Sequence, residues 1–270
     1  MDFAGPILAN GTDTTAGVTT GDPLHGGTIK LLGTNTYAGP TTVSNGTLLV
    51  TGRISSGAVN VLNGAVLGGS GSLGGAVTVQ AGGTLAPNGP TATLTVSNNL
   101  TLLAGSSAHF QIQALPLANN AVRVKNLLTL NGTLTVTNTG TVPLVAGDSY
   151  KLFTAGSYSG GFAAVTLPAL TPGLGWNTNS LNTAGQVSVI SIIPKINTVT
   201  ASGANLVLSG GGGQPAGKFY VMSATNLTLP LADWTYLFTN FYDANGNFNF
   251  TNTVNPAVPA VFYLLQSPGN

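Results

Sequence analysis

Apolar and polar residues alternate singly along most of this chain, with leucine and valine set between threonine, serine and asparagine. Thr133-Leu-Thr-Val136 is one example, and its period of two places the apolar side chains on one face of a half-buried strand. The i, i+3, i+4 spacing of an amphipathic helix does not appear. The pattern therefore predicts an all-β protein without helices.

A short motif recurs at nearly constant spacing in the first half of the chain. Each copy contains a valine, a corner of Asn-Gly type and a leucine. The copies begin at Val43, Val61, Val79 and Val96 and end at Leu48, Leu67, Leu85 and Leu102. Glycine and asparagine tolerate positive φ, so the chain can bend sharply after each strand. A strand-and-corner unit of about 18 residues predicts a parallel β-helix with stacked coils.

Stacking of the coils predicts which residues fill the interior. The four valines should form one inward ladder and the four leucines a second. A fifth copy, Leu130–Leu134, follows a longer interval, and we interpret residues 105–121 as an insertion that bulges from one face. At about 18 residues per coil, residues 27–193 without this insertion should form about eight or nine coils.

One stretch carries further motif residues. Gly33-Thr-Asn-Thr-Tyr37, Thr41-Thr-Val43 and Gly46-Thr-Leu48 follow one another, and together they resemble the autotransporter-associated β-strand repeat, or passenger-associated transport repeat, of secreted bacterial surface proteins. The resemblance extends over residues 27–193. It implies a right-handed parallel β-helix and an exported structural protein that is extracellular or on the bacterial cell surface.

The aromatic residues mark a second domain near the C-terminus. Eleven of the nineteen lie between Phe219 and Tyr263, in short alternating segments separated by turn residues. We predict a small, aromatic-rich antiparallel β-sandwich over residues 194–270, with a flexible turn at Gly210–Gly213.

Residues 1–26 should form an extended segment that caps the β-helix or pairs with another subunit. Solenoids usually end in a polar or amphipathic helix that covers the last coil. Neither end of this sequence has the pattern of such a helix. The sequence therefore predicts a solenoid without helical caps.

The composition excludes several classes of function. Charged residues make up 5% of the chain, with 7 basic and 6 acidic residues, and there is no cysteine. Thiolate metal sites and disulfides are therefore excluded, and a net charge of +1 gives no basic stripe for nucleic acid. No uninterrupted apolar run is long enough for a membrane span.

The few side chains that could carry chemistry also have structural interpretations. Residues 243–249 offer oxygen atoms at alternate positions, but one carboxylate is fewer than a calcium loop needs, so a hairpin turn is favoured over a weak cation site. His25 and His109 are far apart, and a surface or core role is favoured over catalysis. Asp148 is close in sequence to Lys151, and we interpret it as a turn cap.

Three aromatic residues leave two interpretations open. Trp234, Tyr236 and Tyr242 could form a sugar-stacking platform or belong to the sandwich core. The core is favoured, because large aromatic side chains are usually buried.

Together these observations predict a non-enzymatic structural protein of the bacterial exterior. We expect no catalytic, metal-binding or cofactor-binding residues, and a chain that assembles head to tail into an extracellular fibre or surface scaffold. The expected partners are further copies of the chain and, as an alternative, a cell-surface glycan. A carbohydrate-binding or adhesin module is the second hypothesis, and a glycan-cleaving β-helix is the third.

Overall fold

The computed structural model describes residues 1–8, 15–21, 26–171 and 173–267 and is nearly all β, as predicted. The chain forms two compact units. The first contains Met1–Leu144, Asp148–Ala169 and Thr178–Ser188, and the second contains Val145–Gly147, Leu170–Asn177 and Val189–Asn270. No helix in the described ranges is long and apolar enough to cross a membrane.

The first unit is a solenoid of three parallel sheets, which the chain visits in the order A, B, C. Strands are numbered β1–β31 along the chain. Sheet A contains β1 (Asp2–Phe3), β3 (Thr28–Leu31), β6 (Gly46–Val50), β9 (Ala65–Gly69), β12 (Thr84–Leu85), β15 (Ser107–Gln113), β19 (Thr133–Asn138) and β23 (Ala164–Thr166), and β16 (Ala118–Asn119) pairs antiparallel with β15. Sheet B contains β4 (Thr34–Asn35), β7 (Arg53–Ile54), β10 (Ser72–Leu73), β13 (Thr93–Val96), β17 (Ala121–Val124) and β21 (Phe153–Thr154). Sheet C contains β2 (Val18–Thr20), β5 (Thr41–Val43), β8 (Val59–Val61), β11 (Val77–Val79), β14 (Leu100–Leu102), β18 (Leu127–Leu130) and β22 (Ser157–Gly160).

The inward side chains of each sheet stack in register. In sheet C, Val43 pairs with Val61, Val61 with Val79, and Val79 with Leu102. In sheet A, the column runs through Leu48, Leu67, Leu85, Ala108 and Leu134. All of these residues are buried. Because each side chain contacts its counterparts above and below, the stack encloses one continuous apolar column.

The predicted ladders are confirmed for the first three copies and wrong for the fourth. Val96 lies in sheet B, where it pairs with Leu73, and Leu102 continues the valine ladder of sheet C. In the earlier copies the motif spans the corner from sheet C to sheet A, whereas Val96–Leu102 spans the corner from sheet B to sheet C. The same local pattern therefore serves two corners, because both need a short polar turn between two inward residues.

The coils lengthen along the chain, so the predicted number of eight or nine coils is too high. In sheet B, Ile54 pairs with Leu73, Val96 with Val124, and Val122 with Phe153, and the partners are farther apart in sequence each time. Among the described residues, sheet B has six strands and sheet C has seven. The longer coils enclose the largest fully buried side chains of the solenoid, Tyr150, Phe110 and Phe153.

The insertion predicted at residues 105–121 is also wrong. Residues 107–113 form β15, which pairs with β12 on one side and β19 on the other and so belongs to sheet A. Only the hairpin between β15 and β16 departs from the parallel arrangement. We predicted an insertion because we assumed that every coil has the same length. Residues 105–121 fit into the stack because the coils there are longer.

Glycines at the corners allow neighbouring coils to approach closely. A Cβ atom on Gly75 would lie 1.7 Å from the carbonyl oxygen of Gly57, and one on Gly57 would lie 2.1 Å from that of Gly39. At the corner from sheet C to sheet A, Gly46 and Gly64 have positive φ values of 69° and 77°. Glycine thus serves these corners both through its lack of a Cβ and through its tolerance of positive φ, as at Gly57, which has a φ of 82°.

A short helix, which the sequence pattern did not predict, lies at the C-terminal end of the solenoid. Helix α1 (Leu181–Ala184) contacts β22, and Leu181 is buried. The next residue, Gly185, accepts hydrogen bonds from the backbone N–H groups of Leu152 and Phe153. Strand β20 (Ser149–Lys151) pairs antiparallel with the start of β25 (Gln186–Ser191). Four residues are too few for a helical hydrophobic period to be recognised.

The second unit contains the predicted antiparallel sheets. Its first strand is β24 (Leu174–Asn177). Sheet D consists of β26 (Lys195–Ser202), β27 (Asn205–Gly211) and β30 (Phe248–Thr253), and sheet E consists of β28 (Lys218–Ala224), β29 (Thr235–Phe241) and β31 (Phe262–Gln266). A short 3₁₀-helix, Leu231–Asp233, precedes β29. Both sheets contribute to one core of Leu208, Phe219, Val221, Tyr242, Phe248 and Phe250.

The glycine run 210–213 is only partly a turn. Gly210 and Gly211 belong to β27, and a Cβ on Gly210 would lie 2.7 Å from the ring of Phe248. A Cβ on Gly213 would lie 2.2 Å from the ring of Tyr242. These glycines make space for aromatic rings, which a search for turn residues does not reveal.

The corner contact of Gly75 gives a first testable prediction. Gly75→Ala should lower the free energy of unfolding of the solenoid by about 3 kcal/mol or more, because the new methyl group would displace the carbonyl of the preceding coil. The control is Gly27→Ala, since a Cβ there has no neighbour within 4 Å. Urea unfolding followed by circular dichroism measures the stability of the whole chain. Both tryptophans, Trp176 and Trp234, lie in the second unit, so a transition that circular dichroism shows and tryptophan fluorescence does not is that of the solenoid. Equal stability of the two variants would contradict the close approach of the coils.

Candidate functional site

The N-terminal segment forms the first coil of the solenoid. Strand β1 pairs in parallel with β3 of sheet A, and β2 pairs in parallel with β5 of sheet C. Between them, the backbone carbonyl of Ile7 accepts a hydrogen bond from Thr36, next to β4. The described parts of residues 1–26 therefore continue the stack.

Asn35 connects three successive coils through its buried side chain. Its Oδ1 accepts a hydrogen bond of 2.8 Å from the backbone N–H of Ile7 in the first coil. Its Nδ2 donates to the carbonyl of Gly33 in its own coil at 3.1 Å and to that of Arg53 in the next coil at 3.0 Å. Asn35 is fully buried, so this amide supplies partners to backbone groups that water does not reach.

Sheet A is exposed at both ends of the solenoid. Its first strand, β1, pairs with β3, and its last strand, β23, pairs with β19; neither has a second partner among the described residues. All three residues of β23 are exposed. At the same end, α1 contacts β22 of sheet C, and Gly185 bonds to β21 of sheet B. The last strands of sheets C and B therefore have a further contact there, whereas β23 is exposed along its whole length, and such an edge can pair with a further strand.

The three candidate platform aromatics lie in different environments. Tyr242 is in the sandwich core, so the core prediction is confirmed for it. Tyr236 is 53% exposed, and for it the core prediction is wrong; its ring lies 6.0 Å from that of Tyr220, on the outer side of sheet E. Trp234 is half-buried and donates a hydrogen bond from Nε1 to the carbonyl of Leu229. Trp234, Tyr236 and Tyr242 therefore do not form one common surface.

The segment 243–249 has the geometry of a turn capped by aspartate. Asp243 Oδ1 accepts hydrogen bonds of 2.8 Å from the backbone N–H groups of Asn245 and Asn247, and Oδ2 accepts one of 3.2 Å from the Asn247 side chain. These bonds, foremost that from the Asn247 backbone, lower the pKa of Asp243. The carboxylate oxygens thus bind N–H groups of their own turn.

The other titratable candidates are dispersed. His109 is exposed on the outer face of sheet A, and His25 lies outside the described residues. Asp148 precedes β20, and Lys151 ends that strand with an exposed side chain. Burial and, secondly, the charge of Asp148 raise the pKa of Tyr150 to about 12. In the described ranges no three histidine, aspartate or glutamate side chains lie close enough together to hold a metal ion.

Comparison with protein-family models gives no match for this chain, and a search of curated proteins gives none either. Function is therefore inferred from the solenoid and its edges.

Sequence reasoning missed Asn35 and the edges of sheet A for different reasons. Asn35 stands two residues before Tyr37 in the stretch that resembles the β-strand repeat, and this position was the available signal. The edges of β1 and β23 are open because these two strands are the first and the last of sheet A. Local patterns do not contain that information.

The contacts of Asn35 predict a local loss of stability. Asn35→Ala should lower the free energy of unfolding of the solenoid by about 2–4 kcal/mol, because it leaves buried backbone groups without partners. Hydrogen exchange should show faster exchange of the Ile7 amide. The control is Asn98→Ala, whose side chain accepts one hydrogen bond from the adjacent Asn99. Unchanged protection of Ile7 in the Asn35 variant would contradict this role.

The lowered pKa of Asp243 predicts a pH dependence of the second unit. A carboxylate with a lowered pKa in the folded state stabilises that state above its unfolded pKa, near 3.8, and this contribution is lost as the pH falls through the folded pKa. Asp243→Asn should therefore flatten the decline in stability below about pH 4. Urea unfolding followed by tryptophan fluorescence measures the effect, with Asp233→Asn as the control. Identical slopes for wild type and Asp243→Asn would contradict it.

Proposed function

We propose that this chain is a non-enzymatic structural protein of the bacterial exterior, whose copies associate through the two open ends of sheet A. The observation that carries the proposal is that β1 and β23 are the first and last strands of the same parallel sheet. A second copy placed with its β1 beside β23 would continue the sheet in the same direction. An interface between unlike ends can repeat and so build a fibre.

The side chains at β23 support this contact. Val165 pairs with Leu134 and therefore occupies the inward column of sheet A, yet it is 39% exposed, whereas Leu134 is buried. A further coil would cover Val165 as the earlier coils cover Leu134. No charged residue lies in β23, so electrostatic repulsion does not oppose pairing there.

The helix and Gly185 limit where this association can occur. They contact the last strands of sheets C and B, whereas β23 is exposed throughout, so the proposed interface uses sheet A at this end. The predicted absence of a helical cap is wrong here, because α1 was too short to be recognised in the sequence. The proposed contact between copies therefore involves one strand of each copy, whereas two stacked coils would be in contact through all three sheets.

The proposed location rests on the repeat resemblance and on the structural roles of the motif residues. Tyr37 is buried and its hydroxyl lies 2.6 Å from Thr41 Oγ1. Gly46 forms the corner with positive φ, and Leu48 lies in the core. The motif positions thus serve the solenoid, as expected for a repeat of bacterial surface proteins.

Two matched valine substitutions test the proposed association. Val165→Lys should abolish fibre formation, because a charge at the edge of β23 prevents burial against another copy. Val142→Lys is the control, since Val142 is 40% exposed and lies in a loop of the same unit. Electron microscopy and analytical ultracentrifugation at high protein concentration provide the measurement.

Fibres of wild type and Val142→Lys, with monomers of Val165→Lys, would support the proposal. A monodisperse wild-type monomer would overturn it, as would fibres that form equally well from both variants.

A further inference from the structure

The outer face of sheet B carries basic residues without acidic neighbours. Pairing of its strands places Thr34, Arg53, Ser72, Thr95, Arg123 and Thr154 in one outward row. Arg53 and Arg123 are three strands apart, which corresponds to about 14 Å at the usual strand spacing. The solenoid thus brings together two arginines that are far apart in sequence.

Lys125 adds a second cation beside Arg123. Both side chains are exposed, whereas Val122 and Val124 are buried, so the alternation of β17 directs Arg123 outward, and Lys125, directly after the strand, is exposed as well. Two residues along a strand span about 6–7 Å. Neither side chain has an ion-pair partner among the described residues. Their charges are therefore available to a ligand.

A groove lies between these two cations and the neighbouring strands. Its volume is about 440 Å³, and Thr95, Ser97, Arg123, Lys125 and Thr154 line it. The three hydroxyl groups have no hydrogen-bond partner among the described residues. The groove therefore combines two cations with unused hydroxyl donors and acceptors, and no acidic or aromatic side chain is among its lining residues.

The acidic residues of the described chain lie elsewhere. Asp2 is in β1, where its carboxylate lies 3.6 Å from Lys30 Nζ, and Asp148 precedes β20. Asp233 and Asp243 belong to the second unit. With so few charges in the chain, the concentration of cations on sheet B gives this face an electrostatic preference for anions.

We propose that the outer face of sheet B binds an acidic polysaccharide, with Arg123 and Lys125 contacting its carboxylate or sulfate groups. Arginine can bind a carboxylate through two parallel hydrogen bonds, and the hydroxyls of Thr95, Ser97 and Thr154 can bond to sugar hydroxyls. Arg53 lies along the same row and meets a second anionic group of an extended polymer. Single-stranded nucleic acid fits less well, because base stacking requires aromatic side chains and the groove has none.

Binding of defined polymers to the full chain tests this proposal. Polygalacturonate is the carboxylate probe, heparin the sulfate probe, dextran the neutral control, and a single-stranded oligonucleotide the nucleic-acid control. The double variant Arg123→Gln, Lys125→Gln should weaken binding to an acidic polysaccharide at least tenfold. The control is Lys195→Gln, Lys218→Gln, which removes the same net charge from the second unit and should change affinity less than twofold.

Each outcome decides the proposal. Selective loss of polygalacturonate or heparin binding in the Arg123, Lys125 variant supports it, and the tighter of the two polymers identifies the anionic group. An equal loss in both double variants would show attraction to net charge only and would overturn it. Tighter binding of the oligonucleotide, or no binding of either acidic polymer by the wild-type chain, would overturn it too. These results do not depend on fibre formation, because the residues of sheet B are separate from β1 and β23.

Discussion

Hydrogen bonds between successive coils hold their backbones about 4.8 Å apart, and every residue of the solenoid must fit within that spacing. Inward positions are filled by side chains that stack on their own kind, such as Val43, Val61 and Val79. At the corners, the approach of one coil to the next leaves no room for a Cβ, as at Gly75 and Gly57. The stacking of like side chains in these columns and the glycines at these close corners have this one cause.

Much of the fold could be predicted from the sequence because each coil repeats a local pattern. The alternation of strands and the Asn-Gly corners identified the parallel solenoid and the inward column through Leu48, Leu67 and Leu85. The prediction was wrong where we extended a constant period beyond the third coil, at Val96–Leu102 and residues 105–121. Coil length depends on how many residues the corners contain. Because the same sequence pattern occurs at the corner from sheet C to sheet A and at the corner from sheet B to sheet C, the pattern could not show which corner a copy forms.

The candidate sites were less accessible to sequence reasoning. The sequence showed sparse charge and so argued against nucleic acid and catalysis. Arg53 and Arg123 meet on one face only because coils of unequal length return to the same sheet, so their proximity depends on the register of four strands. The open ends of sheet A depend likewise on which terminal strands α1 and Gly185 leave uncovered.

The lengthening of the later coils makes their levels of the solenoid different from the earlier ones. More of the chain separates Val122 from its partner Phe153 than separates Ile54 from its partner Leu73. Wider coils enclose Phe110 and Phe153, whose rings lie 4.8 Å apart, where narrower ones enclose valine and leucine. A coil from one level would leave a void or a clash at another. Although its sequence is repetitive, this solenoid is not modular throughout: its later, longer coils cannot be exchanged with its earlier ones as equivalent units.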